Sequence, residues 1–254
     1  MDLAAAVCED VLADGPLPRE VLIGHLAEAG IPNDHQQASF LFAHLAHLGL
    51  LCPGPYRDGV QTMALLAAWA PAQRVLDPEA ALTELGRRFF AGHGPATAAD
   101  FSTWAGLPVR AGRTVVEALA DELTTAGTPV GPVHWMGSLD GDATGHWLLP
   151  AYDEYVLGYA SREDILGHGP VTLSTYNGMF HPLAVVDGQV VGTWRKTARA
   201  AGLDVAVATL PPIGPDAFRA AATAYARHLG TDLAGLTTEQ YAAPPARTWA
   251  DRRR

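Results

Sequence analysis

Lysine is almost missing from this sequence. Lys196 is the only one, and arginine supplies the rest of the 17 positive charges, set against 27 acids for a net charge of −10. A free-standing DNA binder normally carries a basic excess, because neutralised phosphates and released counterions supply much of the affinity. The balance therefore excludes a broadly basic surface and leaves DNA binding only to a local basic face. Cysteine is equally scarce. Cys8 and Cys52 stand alone without CxxC spacing, which excludes a disulfide framework and a thiolate zinc site. No apolar run reaches the length of a membrane span. The first residues, MDLAAAVCEDVLADG, place acids where a secretory signal needs a basic start. The expectation is a cytoplasmic protein with no membrane partner. Nor is there a G-x-S-x-G, a P-loop or a complete dinucleotide fingerprint, so those enzyme classes and their cofactors are set aside.

What is present is apolar material: 48% of the 254 residues are hydrophobic, enough for a real core in two small domains or three very small ones. Residues 2–13 read as a helix that Gly15-Pro16 ends. Pro18 opens a second, running through REVLIGHLAEAG to Gly30, and Asn33 or Asp34 is placed to cap a third that ends at Gly49. Two short apolar runs around the turn-rich CPGPYRDG follow. Three helices and then a hairpin is the winged-helix order.

That order recurs. Leu82–His93 reads as a helix stopped by Gly94-Pro95, Thr97-Ala98-Ala99-Asp100 as a capping-box start, and Thr114–Leu123 as a third helix. The strand candidates PVGPVHWMG and GHWLLPAY come next, around SLDGDA. From about residue 147 the texture turns to strands rich in Val, Thr, Tyr and Trp, with Asp187-Gly188 as a tight hairpin turn. A last helix spans Pro215–Leu229. The expected fold is α+β: winged helices at 1–70 and 71–146, a small antiparallel β-rich domain with a C-terminal helix at 147–232, and a loose tail at 233–254.

Three stretches, RRFFAGHGPATAADFSTWAGLP (87–108), LLPAYDEYVLGYASREDIL (148–166) and HPLAVVDGQVVGTWRKT (181–197), are similar in order and spacing to AlkZ/YcaQ-like DNA glycosylases. The resemblance covers about residues 10–230. It implies tandem winged helices followed by a β-rich domain, a double-stranded and damaged DNA partner, and excision of alkylated bases or unhooking of crosslinks. The family's catalytic Gln-x-Gln or Gln-x-Asp lies in its first winged helix, and no such motif occurs in this sequence. The resemblance therefore implies that the catalytic winged helix is missing here, that activity depends on such a unit being supplied elsewhere, and that an apolar face left by its absence would favour a homodimer. Gln36-Gln37 is the nearest candidate, but adjacent helical residues point about 100° apart, so the two amides do not converge.

Asp153, within AYDEYVLGY, is the candidate catalytic group, since a carboxylate can activate water or stabilise an oxocarbenium-like centre. Arg162, Arg195 and Lys196 are candidate phosphate contacts, and Tyr159 and Trp194 candidate stacking residues; core packing or surface ion pairs are the alternative for each. Arg87-Arg88 sits beside Phe89-Phe90, so one arginine faces solvent. His44 and His47, three apart with His25 and His35 nearby, read as packed or exposed histidines and not as a metal site, because no HExxH or cysteine pair accompanies them. Two other functional readings remain. One is a non-catalytic self-resistance or regulatory protein that binds a DNA-reactive small molecule, which the acidic charge favours. The other is an enzyme with a site rebuilt around Asp153.

Overall fold

The computed structural model describes residues 2–31, 35–129, 131–139, 141, 144–167, 169–170, 175–176 and 179–242. The chain divides into two compact units, Met1–Leu76 and Asp77–Arg254.

The first unit follows the order read from the sequence: α1 (Asp2–Val11), a two-residue β1 (Leu17–Pro18), α2 (Arg19–Glu28), α3 (His35–His47), β2 (Leu51–Arg57), β3 (Val60–Leu65) and α4 (Leu66–Trp69). The cap expected at Asn33 or Asp34 lies outside the described residues. Leu12, Leu22, Leu26, Phe42, Leu45 and Leu51 form the core together with Cys8, whose thiol burial pushes up to about 11. The turn between β2 and β3 is shorter than the stretch CPGPYRDG suggests, since Asp58 and Gly59 alone take positive φ. The two prolines fit inside β2 because it is an edge strand, in the order β1-β3-β2, and it bulges between Pro53 and Tyr56.

The second unit begins with α5 (Pro78–His93), α6 (Ala98–Trp104) and α7 (Val109–Ala118), followed by β4 (Thr124–Thr128) and β5 (Gly131–Trp135). Asp77 caps α5, accepting hydrogen bonds from the Glu79 and Ala80 amides at 3.1 and 2.9 Å. The capping box at Thr97 and Asp100 forms in full. Phe89, Phe90, Phe101, Val115 and Leu119 make the core of this part. Gly112 lets α7 press against α6, for a Cβ there would stand 2.1 Å from the Ala98 carbonyl oxygen. Helix α7 thus starts five residues before the expected Thr114. The hairpin is also different from the expected one, because TTAGT, not GHWLLPAY, pairs with GPVHW. Threonines carry the β propensity there without an apolar alternation to reveal it.

The remainder is β6 (His146–Leu149), α8 (Glu154–Leu157), α9 (Glu163–Leu166), β7 (Thr175–Tyr176), β8 (Met179–Phe180), β9 (Leu183–Val186), β10 (Gln189–Arg199), β11 (Gly202–Thr209), a 3-10 turn (Pro215–Phe218), α10 (Arg219–His228) and β12 (Leu233–Gln240). Five strands form one sheet in the order β12-β11-β10-β9-β6. Asp187-Gly188 makes the β9–β10 turn with both residues at positive φ, as the sequence suggests. Two expectations are corrected. The strand texture through YDEYVLGY breaks into the short helix α8, because Asp153 caps it. The tail expected from residue 233 instead supplies β12, which pairs parallel with β11. A parallel pair needs a crossover, and α10 is that crossover. Phe218 of the 3-10 turn and Ala222 and Ala226 of α10 pack on Trp194, Val205 and Val207. The sheet is therefore antiparallel with one parallel edge. Among the described residues, no helix is long and apolar enough to cross a membrane.

Candidate functional site

The segment carrying Asp153 is tied down on two sides. Asp153 is the N-cap of α8, and its Oδ1 accepts a hydrogen bond from the Tyr155 amide at 2.8 Å. Tyr155 then donates its hydroxyl to the Gly188 carbonyl in the β9–β10 turn. On the helical side, the His93 ring meets Glu154 Oε2 at 2.8 Å, and the Tyr159 hydroxyl donates to the His93 carbonyl at 2.8 Å. Asp100 Oδ1 accepts from the Ala160 amide at 2.8 Å, while its Oδ2 accepts from the Thr97 amide and hydroxyl. Residues 153–160 are thus clamped between α5 and α6 and the sheet.

Two cavities flank this segment and share Tyr155. One, of about 410 Å³, has walls from Trp147, Leu149 and Val185, with Asp153 as the single charged lining group. Among the described residues, Asp153 Oδ2 has no partner. The other, of about 440 Å³, is lined by Asp100, Tyr159, Ser161, Glu163 and Asp164 as well as Tyr155; its carboxylates repel a phosphate. Burial raises the Tyr155 phenol above its ordinary range. Tyr159 is raised too, first by burial and then by its electrostatic coupling to Tyr155 and Asp100. Both phenols stay protonated at neutral pH and act as hydrogen-bond donors, not as bases.

The other residues singled out from the sequence are more engaged. Arg162 is half-buried, donates from Nε to the Val156 carbonyl at 3.0 Å, and lies 5.1 Å from the Phe180 ring centre. Trp194 is only 7% exposed and donates its indole N–H to the Leu149 carbonyl at 2.7 Å, joining β10 to β6. Its neighbours in sequence point to opposite faces of β10. Arg195 pairs with Glu239 at 2.6 Å, and Lys196 donates to the Tyr225 hydroxyl beneath α10. Tyr159 is held by His93 as described. The structure brings Asp153 and Tyr159 onto one clamped segment and leaves Arg195 and Lys196 on the sheet. Gln36 and Gln37 are exposed on α3 in the first unit. His44 is exposed, and His47 shares a hydrogen bond of 2.6 Å with the Ala43 carbonyl through Nδ1. Among the described residues no three metal-ligating side chains gather.

The remaining arginines divide by whether a carboxylate holds them. Arg87 is held by Glu84 and Glu122, Arg199 by Asp204 and Arg219 by Asp216. Among the described residues, the guanidiniums of Arg110 and Arg113 on α7 are exposed and have no ion-pair or hydrogen-bond partner. The signal that could have found them is local. Residues 101–116 hold these two arginines and no acid, in a chain that is acidic overall. Arg113 also lines a groove of about 430 Å³ with Val109, Glu117, Pro132 and His134, between α7 and the β4–β5 hairpin.

Comparison with known proteins agrees with the architecture. The solved structure of Streptomyces sahachiroi DNA glycosylase AlkZ superposes with a TM-score of 0.72, covering 94% of this chain and 68% of that one at 23% sequence identity. No curated protein matches the sequence. The family model described as DNA glycosylase AlkZ-like matches residues 1–231. The chain belongs to the AlkZ-like DNA glycosylase family.

Proposed function

We propose that this protein binds duplex DNA and acts on alkylated or crosslinked bases in it. The observation that carries the reading is the family match over residues 1–231. The element order of the first unit and of α5 to β5 is compatible with winged-helix DNA binding. For base release, the group best placed is Asp153. Hydrolysis of a glycosidic bond needs a carboxylate or amide that orients water and balances developing positive charge on the sugar. Asp153 has one oxygen committed to its own helix and the other open to a cavity with apolar walls. In such a site a lone carboxylate interacts more strongly with a developing cation than it would in water. No Gln-x-Gln or Gln-x-Asp occurs in these 254 residues, so Asp153 is the group within them to which the step is assigned.

The test is binding to a fluorescent duplex with and without an abasic-site analogue, titrated across salt, joined to base release from an alkylated duplex. Tighter binding to the lesion with a steep salt dependence supports DNA handling. Base release that Asp153→Asn abolishes supports the chemistry. No binding even at low salt would sink the reading.

A second reading is favoured by the cavity itself. Its Trp147, Leu149 and Val185 walls with one carboxylate suit a flat, apolar, positively charged small molecule, as a protein that sequesters a DNA-reactive compound would need. Quenching of Trp147 fluorescence by such a compound, lost in Trp147→Leu, distinguishes it from DNA binding.

A further inference from the structure

We infer that Arg110 and Arg113 form the phosphate-contacting surface of this protein, seating one strand of a DNA duplex along α7 beside the β4–β5 hairpin. The inference rests on the DNA-binding reading above and adds where the duplex lies.

The argument is one of available charge. A chain of net charge −10 has no long-range attraction for phosphate, so contact depends on cations that no carboxylate already occupies. Most described arginines fail that condition. An arginine paired within the protein must surrender its partner to meet a phosphate, and the carboxylate left behind repels the same phosphate. Arg195 and Arg199, exposed on β10, are examples, held by Glu239 and Asp204. Arg57 at the β2–β3 turn and Arg227 near the end of α10 are unpaired but isolated. Only Arg110 and Arg113 combine, among the described residues, freedom from a partner with a second free guanidinium one turn away on the same helix.

Packing decides that they point outward together. Gly112 and Val115 are buried against α6 and α5, so positions 110, 113, 114 and 117 take the opposite face by helical spacing. The surface beside them is neutral. Leu123–Leu139 contains no charged residue, and Thr124, Thr125, Ala126 and Gly127 of β4 are exposed. The hairpin is fixed at its base by paired backbone hydrogen bonds between Ala96 and His134. Small uncharged residues there let a polyanion approach without repulsion. Glu117 is the one acidic group among the described residues that line the groove with Arg113. Guanidinium–phosphate pairs position a duplex without reading its sequence, which is what a protein that searches for lesions requires.

The test is fluorescence anisotropy of the full chain with duplex DNA over a salt series. R110Q/R113Q should weaken binding about tenfold per arginine and lower the slope of log affinity against log salt by about one per arginine. R110K/R113K should keep the slope, R195Q/R199Q should change neither quantity, and E117Q should tighten binding. Both altered arginines are exposed and partnerless, so melting temperatures should match the parent. If the parent binds and R110Q/R113Q binds with the same affinity and slope, this inference falls while the DNA-binding reading stands. If the parent does not bind at all, both fall. Tighter binding to duplex RNA of the same sequence, lost in the same variant, would overturn the assignment to DNA.

Discussion

Asp153 holds the helix that carries Tyr155, its Oδ1 accepting a hydrogen bond from the Tyr155 amide at 2.8 Å. The same carboxylate is the proposed catalytic group, so its structural and chemical roles need separating. Asp153→Ala should cost about 1 kcal/mol in stability, the usual value of an N-cap. Asp153→Asn keeps the cap acceptor and should keep stability. Urea denaturation of the two variants, beside their base-release rates, makes the separation. Equal stability of Ala and Asn variants would mean the cap carries no weight. Loss of release in both would place the charge in the chemistry.

Trp194 is held by its indole N–H on the Leu149 carbonyl and by an edge contact with Tyr225, whose ring centre is 5.0 Å away. Trp194→Phe should therefore destabilise the protein by about 1–2 kcal/mol, from one lost buried hydrogen bond and a smaller ring. DNA affinity measured well below the melting temperature should not change. A variant of normal stability and weakened DNA binding would return Trp194 to the stacking role that its sequence context suggested.

His134 is nearly buried on β5, its ring nitrogen 2.9 Å from the Thr125 hydroxyl. Burial lowers its pKa below the ordinary 6.5. The unfolded chain thus takes up a proton at a higher pH than the folded one. The sign follows from linkage: stability from this group is complete above about pH 6.5 and is lost as pH falls from there through the lower folded value. Melting temperatures at pH 7.5 and 5.5 should differ more for the parent than for His134→Gln, which has no titrating ring. An equal drop in both would assign acid sensitivity to other groups.

How far the sequence could be read depended on whether the signal was local. The Thr97–Asp100 capping box and the Asp187-Gly188 turn were legible because each is decided by backbone chemistry within four residues. The hydrophobic spacing of α1 to α3 was legible for the same reason. The resemblance was carried by residues 87–108, 148–166 and 181–197, and the family match covers all three. By contrast, the extended texture of YDEYVLGY hid a helix that one cap begins. LAGLTTEQ looked like loose tail because its edge position depends on α10 crossing over the sheet.

The candidate sites divide along the same line. Residue type and neighbourhood singled out Asp153 as a candidate, and the overall acidity meant that any DNA binding would depend on a local basic face. Sequence alone determined that much, because composition and short-range spacing are properties of the chain itself. Which cations are available for such a face was decided only by the tertiary structure. A guanidinium is available to phosphate when no carboxylate lies within reach, and reach is set by contacts between residues far apart, such as Arg195 with Glu239 or Arg87 with Glu122. Folding paired Arg195 with Glu239 and turned Arg162 onto the Val156 carbonyl, and it left Arg110 and Arg113 exposed, because α7 turns its small and apolar residues inward and has no acid in its first two turns.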